Sequence, residues 1–211
     1  MAAKKRAKKQ TKKSGKKSAK KATRKPAKKS ASKPSKSAGK KSVSKSGTQV
    51  TLGGNPVHTV GSLPKVGAKL PTFTLTTGDL QDVSNKDFAG KRVIFNIFPS
   101  IDTNTCATST RTFNSLMGNL KNTEVWCVSA DLPFAQKRFC GSEGLNNVKT
   151  ASTFRSDFGK TFGVTLRDSV LKGVLARAIV VADEKGKVLH TEMVSEIAKE
   201  PNYDAAVKAL S

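Results

Sequence analysis

Residues 91–106 read KRVIFNIFPSIDTNTC, and their order of apolar, rigid and polar residues sets the kind of domain to expect. VIFNIF is an apolar run interrupted by a single asparagine, the pattern of a strand covered on both faces. Pro99 stops it, because proline cannot donate to a sheet ladder and holds its own φ fixed. Past a loop expected over Ser100–Thr105, Phe113, Leu116, Met117 and Leu120 recur at i, i+3, i+4 and i+7. That spacing predicts a helix with one face turned inward. Cys106 then falls in the helix's first turn or just before it.

Working outward, EVWCVSA reads as the next buried strand, and Pro133 starts a short helix or loop that carries Cys140. Upstream, VTLGGNPVHTV predicts two short strands joined at Gly53-Gly54-Asn55, and FTLTTGDLQDVS a further strand and turn. Downstream, residues 157–162 can form a helix. ARAIVVADEKGKVLHTEMV predicts two strands joined at Asp183-Glu184-Lys185-Gly186, and Tyr203, Ala206, Val207 and Leu210 give the apolar face of a closing helix. Strand–helix–strand units imply parallel strands with helices packed on the sheet, and the closing hairpin adds antiparallel neighbours. The class is α/β: a thioredoxin-like fold with a central mixed sheet flanked by helices and preceded by an N-terminal hairpin.

Composition divides the chain in two. Residues 1–47 hold 20 of the 39 Lys and Arg and no Asp or Glu, leaving 19 basic against 15 acidic residues in 48–211. The first part has almost nothing with which to fill a core, so it is expected to stay disordered; the second is an ordinary size for one domain. KKRAKKQTKKSGKKSAKKATRKPAKKSASKPSKSAGKKS repeats lysine pairs between Ala, Ser, Thr and Pro, a pattern that resembles linker-histone tails. Its expected partner is DNA, RNA or another polyanion, bound through counterion release without sequence preference; a solubilising, targeting or membrane-surface role is the plainer alternative. The tail has no aromatic residue on which a base could stack. No apolar stretch reaches the roughly 18–20 residues of a membrane span, and no secretory leader is visible. Three cysteines are too few and too odd a number for a stapled secreted scaffold. A reducing, cytoplasmic setting is expected, with nucleoid association if the tail meets DNA.

Helix starts favour anions, so a thiol at Cys106 is placed to react as the thiolate. Thr103, three residues earlier, can reach the sulfur with its hydroxyl, and Pro99 fixes the backbone entering the loop. A buried cysteine of no chemical consequence fits the position equally well. Arg177 interrupts the apolar run LARAIVVA, where an unpaired charge would cost several kcal/mol by rough estimate. Either an anion such as that thiolate faces it, or it lies on an exposed face or meets a carboxylate. Arg111, Arg155 and Arg167 sit in more polar surroundings and are weaker candidates.

The spacing Pro99, Thr103, Cys106, with the flanking text NIFPSIDTNTC, SADLPFAQKRFCGSEGLNNV and LKGVLARAIVV, resembles the thiol peroxidase subgroup of the atypical two-cysteine peroxiredoxins. The likeness runs from about Asn55 to Leu210 and leaves the tail outside. It implies that Cys106 is the peroxidatic cysteine, attacking hydrogen peroxide or an alkyl hydroperoxide, and that Cys140 is the resolving cysteine. It implies further a Cys106–Cys140 intramolecular disulfide, thioredoxin as the reductant, and a homodimer. Thr103 and Arg177 would orient the peroxide and stabilise developing charge. The cysteines are 34 positions apart, so local unwinding is expected when they join.

Cys127, inside EVWCVSA, should be buried and inert. His58, His190, Trp126 and Tyr203 read as ordinary strand or packing residues. No Cys-x-x-Cys pair, metal-ligand spacing or phosphate-cradling glycine loop occurs, so neither metal nor nucleotide cofactor is expected. Two function classes remain: a thiol peroxidase tethered to nucleic acid, or a nucleic-acid packaging protein that keeps such a scaffold idle. The complete set Pro99, Thr103, Cys106, Cys140 and Arg177 favours the first.

Overall fold

The structure, a computed structural model, describes residues 47–211. The expectations placed on residues 1–46 lie outside the described residues. In chain order the strands are β1 Gln49–Leu52, β2 Asn55–His58, β3 Thr74–Thr77, β4 Asp82–Ser84, β5 Arg92–Ile97, β6 Thr123–Ser129, β7 Lys149–Ser152, β8 Ala178–Ala182 and β9 Val188–Met193. The α-helices are α1 Asn104–Leu116, α2 Pro133–Glu143, α3 Phe158–Thr161 and α4 Tyr203–Lys208. β1 and β2 form a separate hairpin; the other strands form one sheet in the order β4-β3-β7-β6-β5-β8-β9.

β5 lies inside the sheet, beside the middle strand β6, because both its faces can be buried. It pairs in parallel with β6 and antiparallel with β8. Alternation then sorts its side chains: Val93, Phe95 and Ile97 join one core, while Ile94 and, past the strand, Phe98 join the other. The successive crossovers β5-α1-β6 and β6-α2-β7 run in one direction along the sheet. Their common handedness puts α1 and α2 on the same face, with Phe113 of α1, Phe139 of α2 and Ala206 of α4 packed over Cys127 and Ile179. The opposite face carries an aromatic cluster of Phe73, Phe88, Phe95, Trp126, Phe158 and Phe162.

Several local expectations shift by a few residues. The loop after β5 is shorter than Ser100–Thr105, since α1 already begins at Asn104. At its far end α1 tightens into a 3-10 turn at Met117–Asn119, yet Met117 and Leu120 still pack on the core below. β4 and β7 were not foreseen: DVS and KTAS carry too little alternation to be read as strands. No helix among the described residues is long and apolar enough to cross a membrane.

Candidate active site

The site is built where β5 ends and β8 begins. Ile97 pairs with Ala178, so Arg177, one residue before β8, lies level with Phe98 at the mouth of the loop that leads into α1. Ala178 and Val180 belong to the aromatic core, and Ile179 and Val181 to the other. By that alternation Arg177 points toward α1. It precedes the strand rather than interrupting it. Thr103 is the N-cap of α1, with extended backbone (φ −96°, ψ 143°), but its side chain makes no capping bond. Its hydroxyl instead lies 2.7 Å from Cys106 Sγ and 3.2 Å from the Ser100 carbonyl.

Cys106, the third residue of α1, is fully buried. Arg177 Nη2 donates to its Sγ at 3.2 Å, and Arg177 Nε donates to the Ile197 carbonyl at 2.8 Å. Arg177 is only 1% exposed, and its Nη1 has no partner among the described residues. The sulfur therefore sits between a hydroxyl and a guanidinium, at the positive end of a helix whose first turn holds no acidic residue. An extra negative charge at this point is stabilised by every one of these groups. Pro99 is buried at the bend where the chain leaves β5. The rival arginines are engaged elsewhere: Arg111 with Glu143, Arg155 with Asp82, and Arg167 beside Asp168.

Cys140 sits near the C-terminal end of α2, half-buried, and all three cysteines are free thiols. It lines an open cavity of about 500 Å³ together with Trp126, Lys137, Leu145 and Thr150. Burial pushes the Cys140 thiol up from its ordinary value, partly offset by a hydrogen bond with Thr150. α1 is tied to the end of α2 by the Arg111–Glu143 pair at 2.8 Å and to the loop after α2 by Asn147 bonding Asn114. Cys106 and Cys140 thus occupy neighbouring helices on one face of the sheet, without being bonded to each other.

The Redoxin family matches residues 65–207. Thiol peroxidase from Mycobacterium bovis is 57% identical over 162 residues, spanning 77% of this chain and 98% of the relative. Thiol peroxidase from Corynebacterium glutamicum is 52% identical over 158 residues, 75% of this chain and 96% of the relative. A crystal structure of a peroxiredoxin-like protein from Aquifex aeolicus superposes with a TM-score of 0.73 at 42% identity, covering 77% of this chain and 95% of that one. The chain belongs to the Redoxin family. It is a peroxiredoxin enzyme, so the reading of the domain as an idle packaging scaffold is set aside.

In this peroxiredoxin Cys127 lies in the sheet beneath the site, fully buried, and accepts a 3.6 Å hydrogen bond from Asn96. Burial pushes its thiol up to about 12, which leaves it protonated at neutral pH. His58 is tied to Asp168 at 2.9 Å, and Tyr203 packs edge-on against Phe113. Sequence reasoning passed over Asp131. Its carboxylate accepts from Ser100 Oγ, the Ile101 amide and Ser129 Oγ, each at 2.7 Å. It thereby clamps the Cys106 loop to the segment that opens α2. An Asp two residues before a helix-opening proline is a common turn residue, so its reach to residues 30 and 31 positions away had no local signature.

Proposed function

We propose that the chain is a thioredoxin-dependent thiol peroxidase, and the observation that carries this is the cradle of Cys106 between Thr103 and Arg177. Cys106 thiolate attacks the terminal oxygen of hydrogen peroxide or an alkyl hydroperoxide. An S–O bond forms, the O–O bond breaks, and the leaving alkoxide or hydroxide takes up a proton; the thiolate becomes a sulfenic acid and the peroxide is reduced by two electrons. Arg177 Nη1, buried and without a partner among the described residues, is placed to donate to a peroxide oxygen and to stabilise the charge that develops there. Thr103, whose hydroxyl can donate to sulfur or oxygen, orients the substrate, and Pro99 sets the loop that aims it.

Cys140, having lost its proton, then attacks the sulfenic sulfur: the S–S bond forms, the S–O bond breaks, and the leaving hydroxide takes up a proton to depart as water. Because Cys106 is fully buried, this step requires the first turn of α1 or the end of α2 to open, since a disulfide brings the Cα atoms to within about 7 Å. A thioredoxin-type dithiol reduces the bond by exchange. The reading extends to a cytoplasmic homodimer and to residues 1–47 as a separate basic segment that holds the enzyme on nucleic acid.

Thioredoxin-coupled peroxide consumption tests the enzyme reading. Wild type should turn over, Cys106→Ser should not, and Cys140→Ser should stop at the sulfenic acid. Mass spectrometry of peroxide-treated protein should find Cys106 joined to Cys140. Equal, negligible rates for wild type and Cys106→Ser would sink the proposal. For the tail, a gel-shift titration at rising salt should show binding that a form starting at Thr48 lacks; equal binding by the two forms rejects the tether.

A further inference from the structure

We infer that Glu196 is a positioning residue for the peroxide reaction, acting through the segment that holds Arg177. The inference rests on the reading that Arg177 and Cys106 meet the peroxide. Arg177 reaches Cys106 with only one of its nitrogens; the plane of the guanidinium, and so the direction of Nη1, depends on where Nε is held. Nε is held by the Ile197 carbonyl. The next carbonyl, of Ala198, accepts from Thr105 Oγ1 at 3.1 Å, so residues 197 and 198 touch both sides of the thiol cradle.

That segment has no helix or long strand of its own to fix it, and Glu196 supplies the anchor. Its Oε1 accepts from the amides of Gly53 (3.0 Å) and Ala198 (3.2 Å). Its Oε2 accepts from Thr51 Oγ1 (2.8 Å) and the Gly54 amide (3.0 Å). The two glycine amides point at one carboxylate because Gly53 and Gly54 both take positive φ (58° and 81°) in the β1–β2 turn, a conformation that glycine adopts without strain. Backbone bonds complete the clip, from Thr51 N to Ser195 O at 2.7 Å and from Ile197 N to Thr51 O at 2.9 Å. Ile197 is itself buried against Val50, Val57, Leu166 and Ala176. The N-terminal hairpin is thus a buttress for the catalytic guanidinium, and Glu196 is the bolt between them.

The test is single-turnover oxidation of the full chain by hydrogen peroxide, followed by reduction of the resulting disulfide with dithiothreitol. Glu196→Ala should lower the second-order rate with peroxide by about 10- to 100-fold, the scale of a misplaced reacting group. Glu196→Gln, whose amide oxygen can still accept part of the set, should recover much of that loss. Reduction by dithiothreitol should stay within about two-fold of wild type, because that step does not use Arg177. In an Arg177→Lys background the Glu196→Ala change should add almost nothing, as expected of residues acting through one group. Penalties that multiply in the double variant, or a Glu196→Ala peroxide rate within about two-fold of wild type, overturn the inference while leaving the peroxidase reading intact. Wild-type protein inert toward peroxide overturns both. Should Glu196→Ala fail to fold, Thr51→Val removes one bond to the same carboxylate and must produce the same selective loss on a smaller scale.

Discussion

A guanidinium, costly to leave unpartnered in an apolar interior, meets the Cys106 sulfur at the head of α1, and its Nη1 nitrogen is left without a partner among the described residues. Lysine cannot reproduce this, since an ammonium has no planar fork to span the Ile197 carbonyl, the sulfur and an incoming oxygen together. Arg177→Lys is therefore expected to lower the rate of Cys106 with peroxide by about 10²- to 10³-fold, the range for removing one charge-stabilising donor; stopped-flow oxidation checks it. The other two thiols differ through burial. In its proposed resolving role Cys140, raised by burial, must ionise before it attacks the sulfenic acid. The disulfide-forming step should therefore accelerate with rising pH above neutrality, approaching tenfold per pH unit while the thiol dominates. A rate flat from pH 7 to pH 9, on about the scale of one ionisation, would contradict this assignment of Cys140. Cys127, pushed up to about 12, should resist alkylation in the native protein after Cys140 has been modified, and Cys127→Ala should keep peroxide turnover.

At the scale of elements, the aromatic face of the sheet is what holds the site's back wall. Phe73 contacts Phe88, Phe95, Phe158 and Phe162 at centroid separations of 5.4–5.6 Å. Its deletion removes a large side chain that neighbours on several elements cannot all collapse to fill. Phe73→Ala should destabilise the domain by about 3–5 kcal/mol, measured as a shift in urea midpoint at unchanged slope. A smaller change at Gly163 should also be felt. Its φ is +70°, and a Cβ there would lie 2.4 Å from both the amide nitrogen and the carbonyl oxygen of Ser62. Gly163→Ala combines a strained backbone with a clash against main chain, so it should destabilise by more than about 1 kcal/mol. These elements also show why some expectations from periodicity shifted. β7 has a short polar sequence and becomes a strand only because β6 and β3 offer it ladders on both sides. α1 stops at Leu116, but the inward spacing of Met117 and Leu120 survives in the tighter turn that follows.

For the whole molecule, two carboxylates tie stability to acid. Glu196 is held at about 2 by hydrogen bonds from the Gly54 amide, Thr51, the Ala198 amide and the Gly53 amide, against an opposing push from burial. For Glu124, burial pushes upward, and hydrogen bonds from Lys91, Lys149 and Trp126 outweigh it, again giving about 2. Both stand below the ordinary value of 4.5, so the unfolded chain binds these protons more readily. Their contribution is complete above about pH 4.5 and is lost as pH falls toward about 2. Denaturant midpoints followed down this window should drop more steeply for wild type than for the variant carrying both Glu124→Gln and Glu196→Gln. Cys140 entered only through the family resemblance, whereas the α/β class, the buried strand β5, the inward face of α1 and the candidates Pro99, Thr103 and Cys106 were legible in the sequence. Each leaves a mark within a few residues: an apolar run, a periodicity, a proline, a helix start beside a cysteine. Arg177 was legible only as a charge in need of a partner. That its partner is Cys106, 71 residues away, follows from the register of β8 on β5. That Glu196 meets the turn at Gly53 and Gly54, 143 and 142 positions off, follows from how the hairpin packs on the segment after β9. Such contacts arise from the meeting of packed elements, and no local pattern of residue types encodes which distant backbone amide a carboxylate will find.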